Sequence, residues 1–408
     1  MRIPRAYRRN WDWWLLLAAL VLILAGFGAI YSTTHHPDSP RHGYIWRHLG
    51  AFILGGGVFV LFLFLPLRLW EDWAWLTYGI SLALLALVLV LGVNEYGARR
   101  WFRAGFFRFQ PSEFAKLALI AVLARFLSGK RSDLSRLPTL SAAVGLVTAP
   151  LLLVLKEPDL GTAGAFPGLA LPMLIWGGIP RIALFLLISP VVTLALLHHW
   201  VIWLFFLALS ALIFWRGRLS WALLAAFLVA QTGLHFLAPV VLSRLQPYQQ
   251  ARITTFLHPE ADPSGAGYQV LQSKIAIGSG EIVGRGFLKG TQSGLAFLPQ
   301  QHTDFIFSVL GEEWGFVGSL VVLLLFGLVV LRSFHVARQC RSPFASFVLV
   351  GVGGLIFYHA VLNMAMTMGL FPVTGLPLPL VSYGGSFLLT VMAGLGQGQN
   401  AAVHRFDY

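Results

Sequence analysis

The sequence predicts an all-α polytopic membrane protein, a single bundle of transmembrane helices with one long outer loop. Apolar residues make up 57% of the 408 residues and charged residues only 11%, whereas a soluble domain carries roughly 25% charged residues. Apolar stretches of about 20 residues, the length that crosses a bilayer as a helix, recur along the chain. Basic residues lie mostly between these stretches, as the positive-inside rule expects.

Twelve stretches fit a membrane-spanning helix, so residues 1–408 are predicted to form one integral membrane domain. The predicted spans are 13–30, 46–65, 73–92, 112–127, 138–155, 162–178, 181–197, 200–215, 219–239, 305–331, 343–366 and 384–401. The first is interpreted as an uncleaved span, because no small-x-small cleavage site follows a short apolar core.

Charge sets the predicted orientation, with both termini in the cytoplasm and most basic loops on that side. The net charge of +13 is therefore explained by basic residues in loops at the membrane interface, where lipid is the expected partner. Nucleic acid is not expected as a partner, because the basic residues are scattered rather than gathered on one face.

Loop 93–111 departs from the positive-inside rule, since this predicted outer loop contains Arg99, Arg100, Arg103 and Arg108. We expect it to bind an anionic ligand.

Residues 240–304 form the long polar segment, predicted as an extracytoplasmic loop. It is too long for a simple connection. The moderately apolar piece from Tyr268 to Ile277 predicts an amphipathic helix at the membrane interface. The single cysteine, Cys340, excludes a disulfide framework within the chain.

Charged residues within spans are few and therefore informative. Glu113 and Lys116 share one face of the fourth span at a spacing of three residues. They form either a structural ion pair or part of a cavity open to the outside. Lys156, Glu157 and Asp159 surround Pro158 at a helix break. This group is either a solvated turn or the wall of a polar site.

Asp304 stands directly before the apolar run of the tenth span. It either caps that helix or acts as a base whose pKa is raised by partial burial. Glu312 and Glu313 are further candidates, although adjacent residues cannot both face one cavity.

The chain has no phosphate-binding P-loop and no dinucleotide-binding glycine motif.

Several motifs make the chain resemble the SEDS family (shape, elongation, division and sporulation), and its elongation-type members most. The motifs are Gly97–Trp101 with Gln110–Glu113 and Lys116, Glu157–Thr162, Asp262–Gln269 with Gln272–Gly280, Gly290–Ser293 with Leu298–Pro299 and His302–Phe305, and Pro372–Leu380 with Ser382–Ser386. The family usually has ten spans. The two extra spans are interpreted as an inserted helical hairpin at about 181–216, which leaves the side of Asp304 unchanged.

The resemblance implies a peptidoglycan glycosyltransferase that polymerises lipid II during cell elongation. It further implies a location in the bacterial inner membrane, with the active site on the extracytoplasmic face. Asp304 matches the essential carboxylate of the family, and Glu113, Lys116 and Asp159 match its cavity residues. The implied partners are a class B penicillin-binding protein, which is a transpeptidase, and other proteins of the elongation complex.

On this basis we expect Asp304 to take the proton of an acceptor hydroxyl while lipid pyrophosphate leaves the donor with inversion. Lys116, Arg100 and Lys156 are candidate cations for the leaving group, and Trp101 suits the headgroup level. A divalent cation, Mg²⁺ or Mn²⁺, is an alternative carrier of that role, but the sequence identifies no ligands for it. The competing functions are a lipid II flippase and a non-catalytic scaffold for a penicillin-binding protein.

Overall fold

The computed structural model describes residues 10–35, 43–95, 98–104, 107–130, 132–244, 247–257, 265–291 and 301–406. These residues form fourteen helices and three short strands. The helices are α1 (Trp13–Thr34), α2 (Gly43–Phe64), α3 (Leu67–Leu91), α4 (Pro111–Leu127), α5 (Leu137–Lys156), α6 (Leu160–Trp176), α7 (Arg181–Ala195), α8 (Trp200–Arg216), α9 (Trp221–Ser243), α10 (Pro247–Leu257), α11 (Ala266–Ser279), α12 (Ile306–Gln339), α13 (Pro343–Thr367) and α14 (Gly385–Val403).

A helix lies at each of the twelve predicted span positions, and the helical membrane fold is confirmed. Within the described ranges, seven helices are long and apolar enough to cross a membrane: α1, α2, α3, α5, α9, α12 and α13. Three more, α6, α7 and α8, are apolar but shorter. The other two, α4 and α14, bury polar side chains such as Lys116 and Gln397.

Local capping explains where several helices begin. Asp12 precedes α1 and its carboxylate accepts a hydrogen bond from the Leu15 amide at 3.0 Å. Ser342 precedes α13 and accepts from the Ala345 amide at 3.3 Å, with Pro343 as the first helical residue. Such caps satisfy amide groups that have no partner within the helix.

The chain divides into two compact units, residues 1–177 with 252–408, and residues 178–251. In the first unit α13 is largely buried and packs against α4, α6, α12 and α14. The other helices of that unit turn many apolar side chains outward, as expected where the solvent is lipid.

The second unit contains α7, α8 and α9. Its buried polar groups satisfy one another: Thr193 donates to the Gln231 side-chain oxygen at 2.6 Å, and Gln231 donates to Ser189 at 2.8 Å. The predicted hairpin at 181–216 corresponds to α7 and α8. Its origin as an insertion stays a prediction.

The predicted outer loop 93–111 folds as a small antiparallel sheet, which the all-α prediction missed. Its strands are β1 (Val93–Glu95), β2 (Ala98–Ala104) and β3 (Phe107–Phe109), in the order β1-β2-β3. Phe102 pairs with Phe109 and Arg103 with Arg108. Backbone pairing of this kind fixes the loop without a buried core of its own.

The long segment 240–304 contains two helices in its described part, α10 and α11. The helix predicted near Tyr268–Ile277 is confirmed by α11. Its position at the membrane interface stays a prediction.

Helix α12 is broken at Gly315, where φ is 67° and ψ is −163°. The segment from Glu281 to Gly286 repairs the lost helical hydrogen bonds. Phe316 and Val317 donate their amides to the carbonyls of Glu281 and Ile282, at 2.9 and 3.0 Å. In return the carbonyls of Glu312 and Glu313 accept from the amides of Arg285 and Gly286, each at 3.0 Å. A broken membrane helix persists where other backbone groups satisfy it in this way.

Two buried carboxylates beside the break hold neighbouring segments. Glu312 accepts hydrogen bonds from the amide of Thr291 at 2.6 Å and from its hydroxyl at 3.1 Å. The Glu313 carboxylate accepts from the hydroxyl of Ser32 on α1. The two adjacent glutamates therefore contact different segments, as expected for neighbours on a helix.

Gly284 is a position at which this repair leaves no room for a side chain. Its φ is +83°, and an ideal Cβ there would lie 2.1 Å from the carbonyl oxygen of Glu313. We expect Gly284→Ala to lower the free energy of unfolding by about 1–3 kcal/mol or more. The melting temperature of the detergent-purified protein should fall. Gly278→Ala is the control, because its Cβ would meet open space on α11. An unchanged melting temperature in Gly284→Ala would contradict the close approach.

Candidate active site

Asp304 lies on the short segment that precedes α12, and the last loop of the chain holds this segment. The carbonyl of Asp304 accepts a hydrogen bond from Asn363 Nδ2 at 2.9 Å, and the same nitrogen donates to the carbonyl of Leu376 at 2.7 Å. Ser382 Oγ donates to the carbonyl of Thr303 at 2.6 Å. The backbone on both sides of the carboxylate is therefore fixed.

Asp304 does not cap α12, so the capping interpretation is wrong. The N-cap residue is Phe305, and no side chain closes this end of the helix. The carboxylate is half-buried and lies beside the loop that contains Gly375 instead.

Gly375 brings a guanidinium close to the Asp304 carboxylate. An ideal Cβ at Gly375 would lie 3.3 Å from Asp304 Oδ2 and 3.8 Å from Arg252 Nη2. The φ of Gly375 is +72°, a conformation that favours glycine. Arg252 also donates from Nη1 to the carbonyl of Thr374 at 3.3 Å. The carboxylate of Asp304 and the guanidinium of Arg252 thus share one small space against this glycine.

Asp159 joins the same region through the start of α6. Its Oδ1 accepts the amide of Thr162 at 3.1 Å, which makes it the N-cap, and its Oδ2 lies 3.6 Å from Arg100 Nη1. The carbonyl of Thr374 would lie 2.8 Å from a Cβ on Gly161. The loop that contacts Arg252 therefore also packs on the capped end of α6.

The surroundings of Asp304 make its carboxyl a weaker acid than usual. Burial raises the pKa of Asp304 to about 6, and the nearby Asp159 charge adds to the rise. Arg252 and a hydrogen bond with Thr303 lower it in part. Because the folded pKa is raised, protonated Asp304 stabilises the fold below about pH 4, and this contribution is lost as pH rises through 6.

Glu157 is a second carboxyl with a raised pKa. Burial, and then the charge of Asp159, raise the pKa of Glu157 to about 8, while Arg100 opposes the shift. Its side chain is buried, and neither carboxyl oxygen has a hydrogen-bond partner within the described ranges. At neutral pH this group is therefore mainly protonated. The solvated-turn interpretation fails for Glu157 and Asp159, because both are buried.

Glu113 and Lys116 form an ion pair on α4, which is one of the two arrangements that the sequence left open. Lys116 Nζ lies 2.8 Å from Glu113 Oε1 and 3.3 Å from His359 Nε2. It also lies 5.0 Å from the centre of the Phe387 ring. The Lys116 side chain is fully buried and Glu113 is 5% exposed. The expectation that both face a cavity open to the outside is wrong for this conformation.

Helix α13 connects the ion pair to Asp304. His359 contacts Lys116, and Asn363, four residues later on the same helix face, binds the carbonyl of Asp304. Four residues correspond to about 6 Å along a helix axis. The pair therefore lies about one helical turn deeper than the Asp304 carbonyl.

The remaining predicted residues have different surroundings. Arg100 donates to the carbonyls of Glu157 at 3.0 Å and Pro158 at 2.6 Å, so it joins β2 to the turn before α6. Trp101 is half-buried in β2, and Lys156 is exposed at the end of α5. Substrate contacts of these three stay predictions.

Sequence reasoning missed four residues of this region: Arg252, Lys274, His359 and Asn363. Arg252 and Lys274 line a cavity of about 20 Å³ beside Pro372 and Val373. Polar residues four apart within the apolar span 343–366 were the available signal for His359 and Asn363. Arg252 gave no comparable signal, because a lone arginine in a polar segment is ordinary.

Parts of the predicted motifs lie outside the described residues, namely Gly97, Asp262–Ser264, Gln292, Ser293, Leu298 and Pro299. Among the residues that are described, no group of three or more His, Cys, Asp or Glu is arranged to hold a metal ion. A divalent cation therefore stays a prediction.

Comparison with known proteins decides the family. The family model described as cell cycle protein, for FtsW, RodA and SpoVE, matches residues 11–205 and 199–406. The chain belongs to this family. The peptidoglycan glycosyltransferase MrdB of Escherichia coli is 37% identical over 392 residues, 96% of this chain and 93% of that protein. The peptidoglycan glycosyltransferase RodA of Treponema pallidum is 35% identical, over 95% and 96% of the two chains.

Solved structures of family members have the same fold. A chain from a peptidoglycan synthase complex, described as coordinating polymerisation and crosslinking, superposes with a TM-score of 0.72 at 31% identity, over 98% of this chain and 100% of that chain. The rod-shape-determining protein RodA of Thermus thermophilus gives a TM-score of 0.65 at 29% identity, over 98% of both. The SEDS resemblance is thus confirmed over nearly the whole length.

The ion pair on α4 provides a test of its structural contribution. Glu113→Gln or Lys116→Met leaves the other charge buried and unpaired, so each should cost about 3–5 kcal/mol of stability. The double variant should cost less than the sum of the two. Thermal unfolding of the purified proteins measures all three. Arg136→Gln is the control, because the Arg136–Asp133 pair is 75% and 54% exposed and should contribute about 0–1 kcal/mol. Strict additivity of the Glu113 and Lys116 effects would contradict the pairing.

Proposed function

We propose that this protein is a peptidoglycan glycosyltransferase that polymerises lipid II, with Asp304 as the general base. The observation that carries the proposal is the position of the Asp304 carboxyl, whose backbone Asn363 holds beside Arg252. Burial of this carboxyl raises its pKa to about 6. A base works best when its pKa lies near the operating pH. The relatives named peptidoglycan glycosyltransferases support the same reaction class.

In the proposed reaction the 4-hydroxyl oxygen of the acceptor sugar attacks the anomeric carbon of the donor. The hydroxyl proton passes to Asp304, and the bond from the anomeric carbon to the lipid pyrophosphate breaks. Asp159 is a poor nucleophile, because one oxygen caps α6 and the other faces Arg100. Direct displacement with inversion therefore fits better than a covalent intermediate.

Negative charge that develops on the leaving pyrophosphate requires nearby cations. Arg252 is the better candidate, because it lies against Gly375 beside Asp304, and Lys274 lines the adjoining cavity. Lys116 is fully buried with Glu113, which makes a direct contact less favourable than the sequence suggested. Arg100 and Trp101 remain proposed substrate contacts. Lys156, which is exposed at the end of α5, remains a proposed cation for the leaving group. The proposed steps use these cations of the chain.

We further propose that the protein works in the bacterial inner membrane with Asp304 on the extracytoplasmic side. The basic loops at the opposite ends of the helices support this orientation. A class B penicillin-binding protein is the proposed partner. Polymerised glycan must be crosslinked, and the related complex is described as coordinating both activities.

A flippase is the alternative from another class, because it would move the headgroup without forming a bond. It requires a polar path that opens to both membrane faces. The described carboxyls Asp304, Asp159 and Glu157 lie at one end of α6 and α12 only, which favours the transferase. Polymer formation from purified lipid II distinguishes the two functions directly.

Replacing the proposed base should abolish polymerisation. Asp304→Asn preserves the shape of the side chain but removes proton acceptance, so glycan formation should fall by about 10²–10⁴-fold. Because Asp304 does not cap α12, the variant should retain membrane insertion and a melting temperature near that of wild type. Asp133→Asn is the control, since Asp133 lies in an exposed turn at the opposite end of α4. Polymerisation by purified Asp304→Asn at a rate near wild type would disprove the base assignment.

The pH dependence of the rate provides an independent test. Only ionised Asp304 accepts a proton, so activity should fall as pH drops below about 6. Arg252 lowers the pKa of Asp304, and Arg252→Gln should therefore move this acid limb to higher pH. Arg103→Gln removes an exposed positive charge of β2 and should leave the limb in place. A limb that does not move in Arg252→Gln would show that another group titrates.

A further inference from the structure

A cavity of about 470 Å³ lies where the end of α6 meets the connection between α12 and α13. The residues that line it include Trp176, Arg338, Cys340, Arg341, Ser346 and Phe347. None of its described lining residues is acidic. Arg338 and Arg341 are exposed, whereas Trp176 is half-buried. The proposed reaction uses no residue of this cavity.

Hydrogen bonds hold the walls of the cavity in place. Trp176 Nε1 donates to Ser346 Oγ at 2.9 Å, and Ser346 Oγ donates to the carbonyl of Ala337 at 2.8 Å. The Arg338 guanidinium lies 6.0 Å from the centre of the Trp176 ring. Arg341 donates from its side chain to the carbonyl of Phe406 at 3.3 Å. Two cations and an indole therefore border one space.

The cavity and the candidate active site lie at opposite ends of the same helices. Helix α6 begins after Asp159 and ends at Trp176, and α12 begins near Asp304 and ends before Cys340. Helix α13 runs back from Pro343 and reaches the Asp304 segment at Asn363. The 20 residue steps from Pro343 to Asn363 correspond to about 30 Å, which matches the thickness of the bilayer core. The cavity therefore lies at the headgroup level of the other leaflet.

We propose that this cavity binds the phosphate headgroup of an acidic phospholipid from the leaflet opposite Asp304. Arginine presents a planar set of donors that matches phosphate oxygens. The N-terminus of α13 lies at the same place and favours negative charge. Basic pockets between transmembrane helices on the cytoplasmic side are suited to anionic lipid heads.

A lipid fits the cavity better than an acidic peptide or a soluble phosphate. Trp176 and Phe347 provide apolar surface next to the two guanidiniums, which suits a molecule with an acyl chain and an anionic head. Tryptophan is typical of the membrane–water interface, where one side of the ring is wet. A soluble phosphate would make no use of this apolar wall.

The test measures lipid binding by the full-length protein with native mass spectrometry. Protein in detergent is titrated with phosphatidylglycerol or, separately, phosphatidylcholine of the same acyl chains. We expect tighter binding of phosphatidylglycerol, and about fivefold weaker binding for each arginine removed in Arg338→Gln/Arg341→Gln. The matched control is Lys130→Gln/Arg136→Gln. It removes two exposed cations from the connection between α4 and α5, at the same end of the helices.

Arg338→Lys/Arg341→Lys preserves both charges and should retain most of the preference for phosphatidylglycerol. This result would show that the glutamine variant loses binding because it loses charge and not because it misfolds. Equal binding of the two lipids by wild type would overturn the proposal, as would an unchanged preference in the glutamine variant. Inorganic phosphate is added in a parallel titration. If it displaces phosphatidylglycerol at equal concentration, the site recognises phosphate alone and the lipid assignment is wrong. If the wild-type protein binds an acidic peptide and shows no preference between the two lipids, the lipid proposal is equally overturned.

Discussion

The candidate site depends on the carboxamide of Asn363, a buried polar group near the end of α13. Its nitrogen donates to the carbonyls of Asp304 and Leu376, which belong to segments far apart in the chain. Both carbonyls belong to non-helical backbone, which carries a high cost in a membrane unless it is satisfied. One side chain on α13 therefore permits two irregular segments to meet. The carboxylate, the glycine turn and Arg252 all rely on that meeting.

The same constraint explains how the protein tolerates so much irregular backbone. The break in α12 at Gly315 leaves amides and carbonyls without helical partners, and the Glu281–Gly286 segment supplies new ones. The sheet β1–β3 satisfies its backbone by pairing between strands. A polar side chain of a buried helix has the same effect, since Asn363 of α13 donates to two non-helical carbonyls. Non-helical backbone thus occurs where hydrogen-bond partners are available. One such region surrounds the proposed base, Asp304.

Electrostatics at the site balance burial against nearby cations. Burial favours the neutral forms of Asp304 and Glu157, and it outweighs Arg252 and Arg100, so that both carboxyls have raised pKa values. Asp159 has different contacts, because its carboxylate accepts a backbone amide and faces Arg100. Three carboxyls in one region therefore have separate environments.

The sequence by itself determined the helical membrane class, the twelve helix positions, the family and the placement of Glu113 and Lys116 on one helix face. These properties depend on apolar length, on spacing along one helix and on contiguous motifs, all of which are local. The tertiary structure decided that Lys116 is enclosed rather than exposed, that Arg100 binds the turn before α6, and that Asp304 does not cap α12. It also revealed Arg252, His359 and Asn363, whose roles arise from segments distant in sequence. Whether a buried polar group faces a cavity or another side chain depends on packing between helices, and no pattern along a single helix specifies that.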